Sequence, residues 1–144
     1  MQVIATKWYS EGVEVVFSVG GANYEPIFKA AENTSHAVIG VEKDQSYDSP
    51  AVITSAMMLL DKPVYDSIAN FYNNSFPGGK TLIYSAENSG VGLPMETSRF
   101  KTFNSAQYNA IYAKLHDGTI VVDNGFIMTA DQVKTSIVNV TVWG

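Results

Sequence analysis

Residues 11–47 constrain this chain most, because they read as one complete strand-loop-helix-strand unit. Val13, Val15, Val16, Phe17 and Val19 make an apolar, β-branched run short enough for a buried parallel strand. Gly20-Gly21 stops it, since paired glycines let the backbone turn tightly and leave no side chain above the strand end. Asn23 suits the N-cap of the helix that follows, in which Tyr24, Ile27, Phe28 and Ala31 recur at helical spacing. Residues 36–41 form a second apolar strand, ending in the polar residues Glu42, Asp44 and Gln45.

In open α/β sheets ligands bind at the carboxyl ends of the strands. Here two strand ends offer a bare glycine loop and an acidic cluster, which suits a small polyhydroxylated ligand better than an anion. The plainer reading also stands: Gly20-Gly21 is only a turn and the acids only cap the sheet.

The rest of the chain fits one α/β domain over residues 1–144, long enough for one core and too short for two ordinary domains. A hydrophobic share of 46% with 16% charged residues excludes a disordered chain. A net charge of -5 argues against nucleic acid as partner, because no basic face is evident to displace counterions. No apolar run is long enough to span a bilayer, and there is no N-terminal signal. Zero cysteines removes disulfides, thiolate metal sites and a lipid-attachment residue.

Glu11-Gly12 reads as a helix stop before the first strand. After the central unit, residues 46–50 read as a polar loop and 51–54 as a short strand. A stripe from Met57 to Tyr72 is interrupted by Pro63, so the favoured helix starts at Asp61 as N-cap, with Pro63 in its first turn. Residues 76–81 end that helix; Gly79-Lys80-Thr81 resembles the tail of a phosphate loop, but Asn74 stands where the earlier glycine is needed, and the order is helix-loop-strand. Residues 81–85 read as a strand, 90–94 as a glycine-broken one, and 105–115 as a helix closed by Asp117-Gly118. Residues 119–122 are a further expected strand, 123–125 a turn, and 135–143 a final strand.

Catalytic constellations are poor. His36 and His116 stand alone, and Ser18 and Ser55 have no nucleophile elbow around them. Glu42 and Asp44 are spaced to share a strand face, yet the apolar run has ended before them, so they read as solvated acids rather than an acid/base pair. Asp44 and Asp48 are weak evidence for a metal. No catalytic residue, cofactor or metal is expected. The N-x-S/T triplets at Asn33, Asn73 and Asn139 read as chance.

The segments VVFSVGG and IFKAAENTSHAVIGVEKDQSY resemble the second half of the basic membrane protein family, the nucleoside-binding lipoproteins of ABC transporters, whose pattern is a VVFQVAGGTG-like strand and loop, then a strand ending IGVDVDQ. The resemblance continues through VITSAMMLLDKPVYDSI, similar to the family's LTSAVKRVDVAVYDAI, through ENSGVGL, similar to DNGVGL, and into DGTIVV. It runs from about Thr6 to Val122, with the motifs in the family's order.

That resemblance implies a three-layer α/β/α lobe with a mostly parallel sheet, of the type I periplasmic-binding-protein kind, and a helix end over residues 1–10. It implies a nucleoside-like ligand at the Val19, Gly20, Gly21 loop and at Glu42, the counterpart of the family's first aspartate in GVDVDQ, which accepts from the ribose hydroxyls. A carboxylate suits a diol because it offers paired acceptors. Asp44 belongs to the same strand end. Met58 takes the place of the family's lysine in TSAVK, and methionine cannot donate a hydrogen bond. Family members are exported, longer and two-lobed, so this sequence is expected to be a fragment, a truncated form or a degenerate half-length gene of a receptor that serves an ABC permease on the extracellular face or in the periplasm. The alternative is a regulatory or interaction domain that keeps the fold without the ligand. With the other lobe missing, elements such as the helix of residues 61–76 would be left uncovered, which predicts a homodimer.

Overall fold

The computed structural model describes residues 1–122. The first helix, α1 (Gln2–Ser10), stops where the sequence expects, with Gly12 at φ +97°. Its Ala5 and Tyr9 are buried against the rest of the core. The Tyr9 hydroxyl donates to the Ala37 carbonyl at 3.0 Å and its ring stacks on His36 at 4.6 Å, which gives that lone histidine a packing role.

The strand β1 (Val15–Phe17) runs parallel to β2 (Ala37–Glu42), in the register Val15↔Ala37 to Phe17↔Ile39. It is shorter than the apolar run that announced it. Within it only Val16 is buried, so the expected buried strand lies at the sheet edge among the described residues. Between the two strands, a 3₁₀ turn (Gly21–Asn23) leads directly into α2 (Tyr24–Thr34). Asn23 therefore already has helical backbone and does not cap: its side-chain amide donates back to the Gly20 carbonyl at 3.2 Å. Ile27, Phe28, Ala30 and Ala31 are buried, and the two alanines let α2 approach its neighbours closely.

The strand β3 (Val52–Met58) is longer than the four residues expected of it and pairs parallel with β2 across an irregularity at Val38/Ile39. A two-residue β4 (Val91–Gly92) pairs antiparallel with its end, completing the order β1-β2-β3-β4. The fold is thus α/β with a mostly parallel sheet. The helix α3 (Asp61–Tyr72) has Pro63 in its first turn, as favoured, but Leu60 takes the N-cap position, so Asp61 is already its first helical residue and does not cap it. α4 (Ser105–His116) begins in a reciprocal cap, Asn104 and Gln107 each accepting the other's backbone N–H at 3.0 Å.

Two expected strands are absent. Residues 81–85 are held by local bonds instead: Asn88 donates to the Ile83 carbonyl and the Gly90 N–H to that of Ser85, both at 2.8 Å. Residues 119–122 fold back on α4, the Ile120 N–H reaching Lys114 at 2.8 Å. The outer edge of β3 cannot take either of them as a full partner, since β4 and the Arg99 N–H, 2.7 Å from the Ile53 carbonyl, already occupy it. The expected turn at 123–125 and strand at 135–143 lie outside the described residues. Among the described residues no helix is long and apolar enough to cross a membrane.

Candidate functional site

The carboxyl ends of β1 and β2 frame a hollow of about 320 Å³ lined by Gly21, Ala22, Tyr24, Val41, Glu42, Lys43 and Gln45. That volume lies at the small end of ligand pockets, which run to roughly 300–1,000 Å³. Both sides of it are shaped by unusual backbone. Gly20 and Gly21 have φ of +155° and +58°, and no neighbouring atom comes within 4 Å of where a Gly21 side chain would begin. A side chain at Gly21 would therefore cost backbone strain and occupy the space a ligand would use. On the β2 side Glu42 has φ +72°, and the Lys43 N–H reaches back to the Val41 carbonyl at 2.9 Å. A non-glycine residue held there is strained, a feature that collects at functional sites.

The floor is set by a buried polar network. Gln45 is buried, its side-chain oxygen accepting from the Val41 N–H at 2.8 Å while its own N–H donates to Ser55 Oγ at 3.0 Å. Gly40 must be glycine beside them, because a Cβ there would lie 2.7 Å from both Gln45 Oε1 and Ser55 Oγ. The loop beyond is fastened by the segment after β4. Arg99 donates through Nη1 to the Val52 carbonyl at 2.6 Å and through Nη2 to that of Ser46 at 2.9 Å. Thr97 Oγ1 donates to Asp44 at 2.6 Å, and the Ser46 N–H to the same carboxylate at 2.9 Å. Partial burial would raise the Asp44 pKa, but these two donors and the charge of Arg99 outweigh it and hold it below the ordinary value.

Of the residues singled out from sequence, Gly21 and Glu42 share the hollow, and Val19 and Gly20 lie just before it on the β1 loop. Asp44 does not line it, its carboxylate being engaged by Thr97 and Ser46. Met58 is half exposed on the neighbouring strand end, paired with Val91. Tyr24, Lys43 and Gln45 were not proposed as site residues. Tyr24 carried a signal, as the first residue of the helix that follows the glycine loop. Thr97 and Arg99 had none, since they reach the loop from about 50 positions away. A second hollow of about 350 Å³, on the outer side of α2, is less available: its Glu32 accepts from Ser49 at 2.7 Å and pairs with Lys29 at 3.0 Å.

Residues 2–124 match the family described as ABC transporter substrate-binding protein PnrA-like. The chain belongs to this family. Among PnrA-like relatives, Basic membrane protein D of Borreliella burgdorferi is 30% identical over 114 residues, 76% of this chain and 32% of that protein. The ABC transporter nucleoside-binding protein BmpA of Lactococcus lactis is 29% identical over 120 residues, 69% of this chain and 34% of that protein. A solute-binding protein of an ABC transporter system from Conexibacter woesei has the same fold, with TM-score 0.63 at 17% identity over 85% of this chain and 41% of the other. The chain therefore spans about a third of the length of the curated PnrA-like relatives it matches.

Proposed function

We propose that this chain supplies one wall of a nucleoside-binding site in an ABC-transporter receptor, binding solute without turning it over, on the outer side of the cell membrane. The observation that carries the reading is that Gly21 and Glu42 line one hollow at adjacent parallel strand ends. In it Glu42 accepts hydrogen bonds from the ribose diol, the bare Gly20-Gly21 loop admits the sugar, and Tyr24 offers a ring edge. The same reading has the chain as one protomer of a homodimer, in which a second copy covers the exposed apolar stripe of α3. A thermal-shift titration with purine and pyrimidine nucleosides tests this, because a ligand of the folded state raises stability by RT ln(1 + [L]/Kd). A saturable shift that is lost in Glu42→Ala and weakened for 2′-deoxynucleosides is expected. No shift with any nucleoside at millimolar concentration would overturn it.

A second reading, an interaction domain that keeps the fold without the ligand, draws support from Met58, half exposed and without a donor where the family pattern has lysine. It expects no nucleoside shift in the wild type either.

A further inference from the structure

The ladder between β1 and β2 stops one rung short of where its own spacing would carry it. The Ala37 N–H donates to the Glu14 carbonyl at 3.2 Å and the Ser18 N–H to that of Ile39 at 3.0 Å. A parallel pair repeats such bonds at even steps, so the next rung would join the Val41 N–H to the Ser18 carbonyl. The Val41 N–H goes elsewhere: Gln45 Oε1 accepts it at 2.8 Å. From that point the two chains part. β1 runs on into Gly20 and Gly21, both at positive φ, and the hollow lies between Gly21, Ala22 and Tyr24 on one side and Val41, Glu42 and Lys43 on the other.

Gln45 is itself firmly held. Its N–H donates to the buried Ser55 Oγ at 3.0 Å and its Nε2 to Asp48 at 3.4 Å. Val41 is gripped a second time through its carbonyl, to which the Lys43 N–H donates at 2.9 Å, closing a three-residue turn on Glu42 at φ +72°. Turns of that hand are rare and strained, and such backbone persists only where its surroundings over-determine it. With Val41 fixed at both its N–H and its carbonyl, Glu42 has little freedom to relax out of the turn.

We infer that Gln45 is the positioning residue of this site: its side-chain oxygen takes the rung that would otherwise zip β1 further onto β2, which keeps the hollow open and holds Glu42 in the turn that faces it. A ladder continued to Ser18 would draw the Gly20-Gly21 loop against Glu42 and close the mouth. Because Gln45 is only 2% exposed, it acts on a ligand through Val41 and Glu42. The inference rests on the reading of the hollow as a nucleoside site.

Gln45→Met keeps the length of the side chain and removes the acceptor, whereas Gln45→Glu keeps an oxygen at the same place. Thr54→Val removes a buried hydroxyl bonded to Ser98 at 2.8 Å, outside the lining of the hollow, and serves as a variant destabilised elsewhere. The full chain is titrated with adenosine and uridine by calorimetry, at a temperature where circular dichroism shows each variant folded. Kd should weaken about tenfold or more in Gln45→Met and stay within about threefold of wild type in Gln45→Glu and Thr54→Val. A Gln45→Met protein with a lowered urea midpoint and wild-type Kd would make Gln45 a merely structural residue and overturn the inference. Hydrogen exchange of the ligand-free protein reads the rung directly: the Val41 amide should exchange about tenfold or more faster in Gln45→Met and at the wild-type rate in Gln45→Glu. If Gln45→Met does not fold, Gly40→Ala, whose Cβ would stand 2.7 Å from Gln45 Oε1, carries the same two readouts. An unchanged Val41 amide overturns the inference whether or not a nucleoside binds. A wild type that binds neither nucleoside overturns the reading beneath it, and the amide then decides the rung by itself.

Discussion

In residues 1–58 α2 and in residues 59–122 α3 carry similar amphipathic patterns, yet the two regions are built differently. Among the described residues, every buried apolar residue of the core, from Ala5 to Val52, belongs to the first region. In the second, α3 and α4 bury no residue at all, although α3 has an apolar stripe of Val64, Tyr65, Ile68, Phe71 and Tyr72. The difference is one of partners. α2 packs against α1 and β2, while α4 touches the sheet region through hydroxyls, Tyr108 accepting from the Leu93 N–H at 3.2 Å and Tyr112 donating to the Val91 carbonyl at 2.9 Å. An apolar stripe stabilises only when something covers it.

The contrast breaks most directly at two phenylalanines. Phe28→Ala, in the buried face of α2, should cost about 3–5 kcal/mol in urea unfolding. Phe71→Ala, at 67% exposure on α3, should stay within ~0.5 kcal/mol; equal losses would mean the second region is packed in solution. Next in size is Arg99→Met, which strips the donors from the Val52 and Ser46 carbonyls and should cost about 2–3 kcal/mol, with hydrogen exchange rising over residues 44–52. Gly40→Ala, driven against Gln45 and Ser55, should cost about 1–3 kcal/mol; Gly79→Ala, with open space around it and φ +74°, would show backbone strain alone.

The smallest effect is the pH dependence of the loop. Asp44 has its pKa lowered on folding, so its contribution is present above the ordinary carboxylate pKa and is lost as pH falls through the folded value, below about pH 4. Asp44→Asn should flatten the acid limb of a stability profile, and an unchanged limb would detach Asp44 from the loop's stability.

Much of the first region was legible because its signals are local. The glycine stop at Gly12, the apolar periodicity of α2 and the second strand each lie within one element or its border. The start of α3 could be placed because proline tolerates only the first turn. The failures have local causes of another kind. Residues 81–85 and 119–122 have strand composition, but a strand needs an edge to pair with, and side-chain and backbone bonds to Asn88, Gly90 and Lys114 took their groups first. Asp44 looked like a site residue because it stands beside Glu42. Its engagement by Thr97, 53 positions later, left no trace in the pattern.

The sequence by itself determined the β-α-β unit, its glycine turn, the family and the pair of strand ends at which Gly21 and Glu42 meet, because periodicity, chain reversal and strand direction are short-range properties. Only the tertiary structure decided that, among the described residues, β1 lies at an edge and the stripe of α3 stays uncovered, and that Asp44 faces Thr97 while Glu42 faces the hollow. Those outcomes depend on which groups arrive from distant parts of the chain to bury a surface or complete a hydrogen bond, and burial and pairing are properties of the assembled fold.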